Sequence, residues 1–211
     1  FISTHQGYNF IAIVERTNKI AQQDYPEIKS YNSVEELIAD DSIELVIINT
    51  PNFTHYEYAK MALNAGKHIL VEKPFTATVA QAKEVFELAK SVGKKALVYQ
   101  NRRFDSGYNA VKNIIDSGRL GKLIEVHFRY DRFRNTIGPK SFKEEIVEAT
   151  GLQYDLGPHL LDQAISLFGK PEKYHKILGK NRAHTKVDDY LAIQLSYPND
   201  LYVFLTASML V

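Results

Sequence analysis

The sequence predicts an α/β fold: a doubly wound parallel sheet over residues 1–120, then an α+β domain with a mostly antiparallel sheet over residues 121–211. Three observations carry this. Apolar runs of strand length alternate with capped helical stretches in the first half, the apolar pattern changes to period two after about residue 120, and strands then follow strands.

The four runs are "FIAIVE" ending at Glu15, "IELVIINTP" at Pro51, "KHILVEKP" at Pro74 and "KALVYQN" at Asn101. Runs apolar on both faces suit a parallel sheet covered on both sides. Between them, Ser33 to Glu36, Thr54 to Glu57 and Thr78 to Gln81 each match the capping box, in which a hydroxyl accepts a free backbone N–H and the residue three on reaches back. Each therefore predicts a helix start. Gly66 and Gly93 stand where the last two of those helices must stop, since glycine tolerates the left-handed conformation that closes a helix.

In "KLIEVHFRYDRF", Ile124, Val126, Phe128 and Tyr130 alternate with more polar neighbours, as in a sheet with one covered face. An irregular stretch from Asn135 to about Gly151 leads to a helix through "LLDQAISLFG". "DDYLAIQLSYP" and "LYVFLTASMLV" then read as strands joined at Pro198, Asn199 and Asp200.

Composition narrows the partner. With 26 basic and 25 acidic residues, a net charge of +1 and no long block of either sign, the chain lacks the electrostatic footprint of a nucleic-acid or membrane binder, and a small molecule is the expected ligand. No cysteine occurs, which excludes disulfides, thiolate metal sites and a cysteine nucleophile and fits a cytoplasmic location. No apolar stretch reaches the roughly 18 residues of a spanning helix, and the first residues do not read as a signal peptide.

At the end of the second strand of a dinucleotide-binding unit, an acidic residue typically meets the adenosine ribose, and Glu15 in "AIVERT" is so placed. A Gly-rich phosphate turn belongs about 20 residues earlier, yet fourteen residues precede Glu15 and "FISTHQGYNF" holds no Gly-x-Gly. The chain is therefore expected to begin inside the crossover helix of a Rossmann-type domain, without its central first strand. The last strand, running to Val211 with no turn or cap, is expected to be cut short as well.

The stretch "NTPNFTHYEYAKMALNAGKHILVEKPFT", with "YQNRRFDS" and "YDLGPHLLDQAISLFG" after it, resembles the Gfo/Idh/MocA family of NAD(P)-dependent oxidoreductases, which act on sugars, cyclitols and related polyols. Three motifs occur in family order: Thr-Pro-Asn-x-x-His at 50–55, Glu-Lys-Pro at 72–74 and Asp-x-x-x-His-x-x-Asp at 155–162. The likeness covers nearly the whole chain and is greatest to the branch that includes scyllo-inositol dehydrogenase. It departs from the family in lacking the glycine fingerprint and the rest of the C-terminal sheet, which usually supplies the dimer interface. The resemblance implies a homo-oligomer, a cis Lys73–Pro74 bond and cofactor contacts at Glu15, Arg16, Thr50, Pro51, Asn52, His55, Glu72, Lys73 and Pro74.

Oxidising a secondary alcohol moves hydride to a nicotinamide while a base removes the hydroxyl proton, so two polar groups must act on one oxygen. Lys73 is predicted at the carboxyl end of a parallel strand, where open α/β sheets bind ligands. Pro74 restricts the backbone before it and so aims the lysine. Asp155 and His159 are four residues apart and share a helix face if the helix has begun, a condition set by Pro158, which fits only a first turn. By the resemblance, His159 is the acid/base, Asp155 a substrate contact beside it, and Asp162 a brace. Asn101 and Arg102 are expected to face substrate at the same sheet edge, with Arg103 as the other arginine there. Arg16 either stacks on adenine, binds a 2′-phosphate or faces water; the cofactor expected is NAD or NADP, with NADP preferred. Two alternatives stand beside this reading: a metal-dependent lyase or hydrolase using Asp155, His159 and Asp162, and a non-catalytic fragment that lacks cofactor binding.

Overall fold

A computed structural model describes residues 5–137 and 141–211. The chain divides between Val98 and Tyr99 into two compact units. The first holds strands β1 (Ala12–Val14), β2 (Lys29–Tyr31), β3 (Leu45–Ile48), β4 (His68–Glu72) and most of β5 (Ala96–Tyr99). All four predicted apolar runs are strands; β2, three residues long and poor in aliphatic side chains, is the one without a sequence signal. β1 pairs parallel with β2 and β3 parallel with β4. The hydrogen-bonded groups are β1-β2 and β3-β4-β5.

Helices α1 (Ala21–Asp24), α2 (Val34–Ile38), α3 (His55–Asn64) and α4 (Val79–Ser91) complete this unit. The three predicted caps behave differently. Thr78 forms the full reciprocal box with Gln81. Ser33 accepts the Glu36 N–H, but the Glu36 carboxylate takes the N–H of Asn32, one residue earlier than the box requires. Thr54 makes no cap at all. A 3-10 turn over Asn52–Thr54 runs into α3, so Thr54 is already helical (φ −97°, ψ −11°), and its hydroxyl turns back to donate to the Pro51 carbonyl. Gly66 and Gly93 close α3 and α4 at φ +74° and +66°, as the sequence predicts. The core lies between these helices and β4: Ala62, Leu63, Ile69, Val71 and Val85 are fully buried, each larger side chain contributing about 1.5–3 kcal/mol.

The second unit holds α5 (Ser106–Asp116), β6 (Glu125–Asp131), α6 (Leu152–Asp155), α7 (Gly157–Phe168), β7 (Lys173–Gly179), β8 (Tyr190–Tyr197) and β9 (Leu201–Ser208). α5 precedes residue 120 yet groups with this unit, because its buried Tyr108 lies in a cleft with Phe128 and Tyr130 of β6 and Gln163 of α7. The sheet order is β6-β9-β8-β7. β7-β8 and β8-β9 are antiparallel and β6 pairs parallel with β9, so the sheet is mixed and mostly antiparallel, as the sequence predicts. A tight turn with Asn199 and Asp200 at φ +62° and +59° forces the β8-β9 direction. The long path from β6 through α6, α7, β7 and β8 leaves the β6-β9 direction free.

α7 covers the sheet: Leu160 and Ala164 pack on Leu191, Leu195, Val203 and Leu205, all essentially inaccessible to solvent. Gly169 ends it at φ +77°. β7 is an exposed edge strand carrying Lys173 and Lys176, charges that guard an edge and hide its strand pattern.

Gly151, ahead of α6, has φ +90° and ψ 167°, a region essentially limited to glycine. A Cβ there would lie 2.1 Å from Asp188 Oδ1, and the other Asp188 oxygen accepts the Gln153 N–H at 2.7 Å. Gly151→Ala should therefore lower unfolding free energy by about 3 kcal/mol or more, read as a shift in urea midpoint. An unchanged midpoint would show that the α6 entry relaxes freely.

Candidate active site

In the first unit the functional side chains gather where parallel strands end. β4 ends at Glu72, and half-buried Lys73 follows, joined to buried Pro74 by a cis peptide bond. The Glu72 carboxylate accepts the Lys73 N–H at 3.1 Å. Beyond β3, Thr50 and Thr54 bring their hydroxyl oxygens to 2.6 Å. Thr54 already donates to Pro51 O at 2.7 Å, and a hydroxyl has a single hydrogen. Thr50 is therefore the donor to Thr54, and its remaining lone pairs can only accept.

His55, expected among the cofactor contacts, has its ring turned into the chain. It is 1 % exposed; Nδ1 lies 2.8 Å from the Pro74 carbonyl oxygen and Nε2 2.9 Å from that of Thr50. Glu15 at the mouth of β1 is likewise engaged. One oxygen accepts the Ala21 N–H at the start of α1 and the other the Ser30 hydroxyl, both at 2.9 Å. The Ala21 N–H foremost, with the Ser30 hydroxyl, holds this carboxyl below its ordinary pKa. Each oxygen keeps a further lone pair. Lys19, which sequence reasoning missed, donates to the carbonyls of Glu15, Ser30 and Tyr31 at 2.9–3.3 Å. The exposed Arg16 guanidinium donates to Tyr58 Oη at 2.7 Å and keeps most of its N–H donors.

The second unit carries the other expected residues. Asn101 and Arg102 stand on a 3-10 turn, Asn101–Phe104, just after β5. Arg102 pairs with Asp105 at 3.0 Å and lies over the Tyr130 ring. The two arginines diverge: Arg103 forks onto Asp162, with both N–H···O distances 2.7 Å. Asp162, for which the resemblance implied a brace, accepts one guanidinium N–H on each oxygen and so ties α7 to the turn after β5.

Asp155 is the last residue of α6, and the cap of α7 is Leu156. Pro158 has no N–H, so the helix is interrupted there and restarts within the same turn, with Leu160 N–H bonded to Leu156 O. His159 is buried in the first turn of α7, and Asp155 is partly exposed with Lys143 Nζ 3.0 Å from Oδ1. Lys143 comes from the irregular stretch and had no sequence signal.

Comparison with known proteins bears directly on these motifs. The description "Oxidoreductase family, NAD-binding Rossmann fold" matches residues 1–100, and "GFO/IDH/MocA C-terminal domain" matches residues 108–211. The chain belongs to the Gfo/Idh/MocA family. Among curated members, an uncharacterized oxidoreductase, C115.03, of Schizosaccharomyces pombe is 43 % identical over 90 % of this chain and 54 % of its own length. The scyllo-inositol 2-dehydrogenase (NADP(+)) IolW of Bacillus subtilis is 33 % identical over 90 % and 53 %. The chain spans about half the length of the curated relatives it matches. A crystal structure of an oxidoreductase from Bacillus cereus superposes with TM-score 0.88 at 36 % identity, covering 99 % of this chain and 59 % of that one. No helix among the described residues of this family member is long and apolar enough to cross a membrane.

The Arg103–Asp162 fork is half exposed on the arginine side, so solvent screening limits its worth to about 1 kcal/mol. Asp162→Asn should lower the melting temperature by a few degrees, and zinc or manganese should not raise the parent's melting temperature. Stabilisation by either ion, lost in Asp162→Asn, would restore the metal reading.

Proposed function

We propose that this protein transfers hydride between NAD(P) and a secondary hydroxyl of a sugar, a sugar derivative or an inositol. The observation that carries the reading is half-buried Lys73 at the carboxyl end of β4, in a chain whose first 100 residues match an NAD-binding Rossmann description. Residues at the strand mouths suit a dinucleotide. Thr50 offers acceptor lone pairs to a ribose or carboxamide donor, Arg16 offers N–H groups to phosphate, and Glu15 keeps lone pairs for a hydroxyl. Pro51, Asn52, Glu72 and Pro74 complete the contacts assigned to the cofactor. When bound, the nicotinamide ring accepts or gives the hydride.

In this reading Lys73 donates a hydrogen bond to the reacting oxygen and His159 takes or returns its proton, with Asp155 beside it and Asn101 and Arg102 binding further hydroxyls. Buried Asn101 Oδ1 and Arg102 Nε have no hydrogen-bond partner among the described residues, so the turn after β5 holds polar capacity that the chain does not match. NADP is the preferred cofactor. Glu15 is drawn onto Ala21 and Ser30 while the Arg16 guanidinium stays exposed, and the relative IolW is named for NADP(+). Exposed Ile177 and Tyr202 on the second sheet support assembly of identical subunits there, and a cytoplasmic location agrees with the cysteine-free composition.

Lys73→Ala should lower turnover at least about a hundredfold while nucleotide binding stays largely intact, and His159→Ala should also cripple catalysis, most at low pH. Steady-state kinetics across pH with a panel of polyols and both nucleotides checks this; unchanged turnover in Lys73→Ala removes its role, and a His159→Ala profile parallel to the parent's makes that histidine structural. Arg16→Ala should raise the Kd of NADPH about tenfold and leave that of NADH nearly unchanged, by fluorescence titration. Equal weakening of both would take the 2′-phosphate away from Arg16.

A further inference from the structure

The buried imidazole of His55 lies between two carbonyl oxygens that belong to different strand mouths. Thr50 O follows β3, Pro74 O follows β4, and the ring nitrogens approach them to 2.9 Å and 2.8 Å with 1 % of the residue exposed. Such carbonyls, at the end of a parallel sheet, have run out of strand partners, and a buried acceptor left without a donor is destabilising. A neutral imidazole donates to one of them and a protonated ring to both.

The ring also links two pieces of backbone that carry proposed site residues. Pro74 O is one peptide beyond Lys73, and Thr50 O belongs to the residue whose hydroxyl orders the Thr54 and Pro51 turn. A core filler would not need its polar atoms within hydrogen-bond distance on both sides. A cofactor contact would need an exposed edge, which this ring lacks.

We propose that His55 is a positioning residue: it clamps the turn after β3 to the turn after β4 and so fixes the backbone from which Lys73 projects. The clamp stands on geometry alone; its effect on turnover rests on the reading of Lys73 given above. Small displacements of a reacting group cost rate steeply, about a hundredfold per ångström in favourable cases. His55 therefore acts on rate through Lys73 without touching substrate or nucleotide.

Two variants of the full chain test this, His55→Leu, which fills the space without a donor, and His55→Gln, which keeps one. In His55→Leu the Thr54 amide, bonded to Pro51 O, and the Lys73 amide, bonded to the Glu72 carboxylate, should exchange with deuterium at least about tenfold faster, while those in the middle of α4 keep their protection. Turnover should fall at least about tenfold, and by a larger factor than nucleotide Kd rises, and His55→Gln should recover part of the loss. Uniform loosening of both segments, or none in either, overturns the clamp. Normal turnover in His55→Leu, where Lys73→Ala is inactive, overturns the positioning role. If Lys73→Ala itself is fully active, the proposed function fails instead, and local exchange still decides whether the clamp exists.

Discussion

Parallel strands end in carbonyl groups that no further strand can satisfy, and the first unit is arranged around that constraint. The carboxyl ends of an open α/β sheet are also where ligands bind, so covering them with more backbone would close the site. Side-chain donors meet the need without closing it. Lys19 takes three carbonyls across the mouths of β1 and β2, and His55 bridges those beyond β3 and β4. Lys67, 5 % exposed, does the same for the Asp40 carbonyl after α2. A lysine ammonium has three donors and an imidazole has ring nitrogens on two edges, so either can reach more than one carbonyl, which the single hydrogen of a serine or threonine hydroxyl cannot.

That arrangement sorts polar residues into those that hold and those that act. His55 and Asp162 both occur in motifs of functional appearance, yet the polar atoms of each lie against groups of the chain itself. Holding residues can therefore be as tightly specified as acting ones. A residue that must bond two fixed atoms 2.8 and 2.9 Å away admits few replacements, whichever job it does. Thr50 shows the two roles coupled: donating its proton inward to Thr54 leaves only acceptor capacity facing out.

Much of this was legible in the sequence because burial on both faces leaves a strong trace. β1, β3, β4 and β5 are runs of aliphatic residues, and α4 starts at a box with both partners present. β2 and β7 were not legible, since a three-residue strand and an exposed edge carry no period to read. Thr54 misled because a capping box is a pattern of residue types, while the cap needs an extended backbone that the preceding 3-10 turn takes away. The parallel pairing of β6 with β9 was hidden for another reason: alternation reports a covered face, never the direction of the neighbour. At the site, the motif residues were legible as positions. Their partners Lys19, Tyr58 and Lys143 were not, because they lie far away in sequence or face carbonyls that have no residue signature.

Lys143 illustrates how an aperiodic segment can still be placed. The stretch after β6 leaves Phe133, Ile137, Ile146 and Val147 exposed, and charge fixes it instead. Arg182, with its side chain 5 % exposed, donates to both carboxylate oxygens of Glu144 at 3.0 and 2.9 Å, to Asp189 at 3.1 Å and to the Thr136 carbonyl at 3.4 Å. Asp189, wholly buried at its side chain, is also held by the N–H groups of Asn181 and Arg182. Removing one member of such a buried set strands the others without partners, at a cost of about 3–5 kcal/mol. One guanidinium thus ties the segment to the β7-β8 connection, and Lys143, next to Glu144, is delivered to Asp155 as a result. The position of a charge at the candidate site is set by a cluster of charges that takes no part in the chemistry.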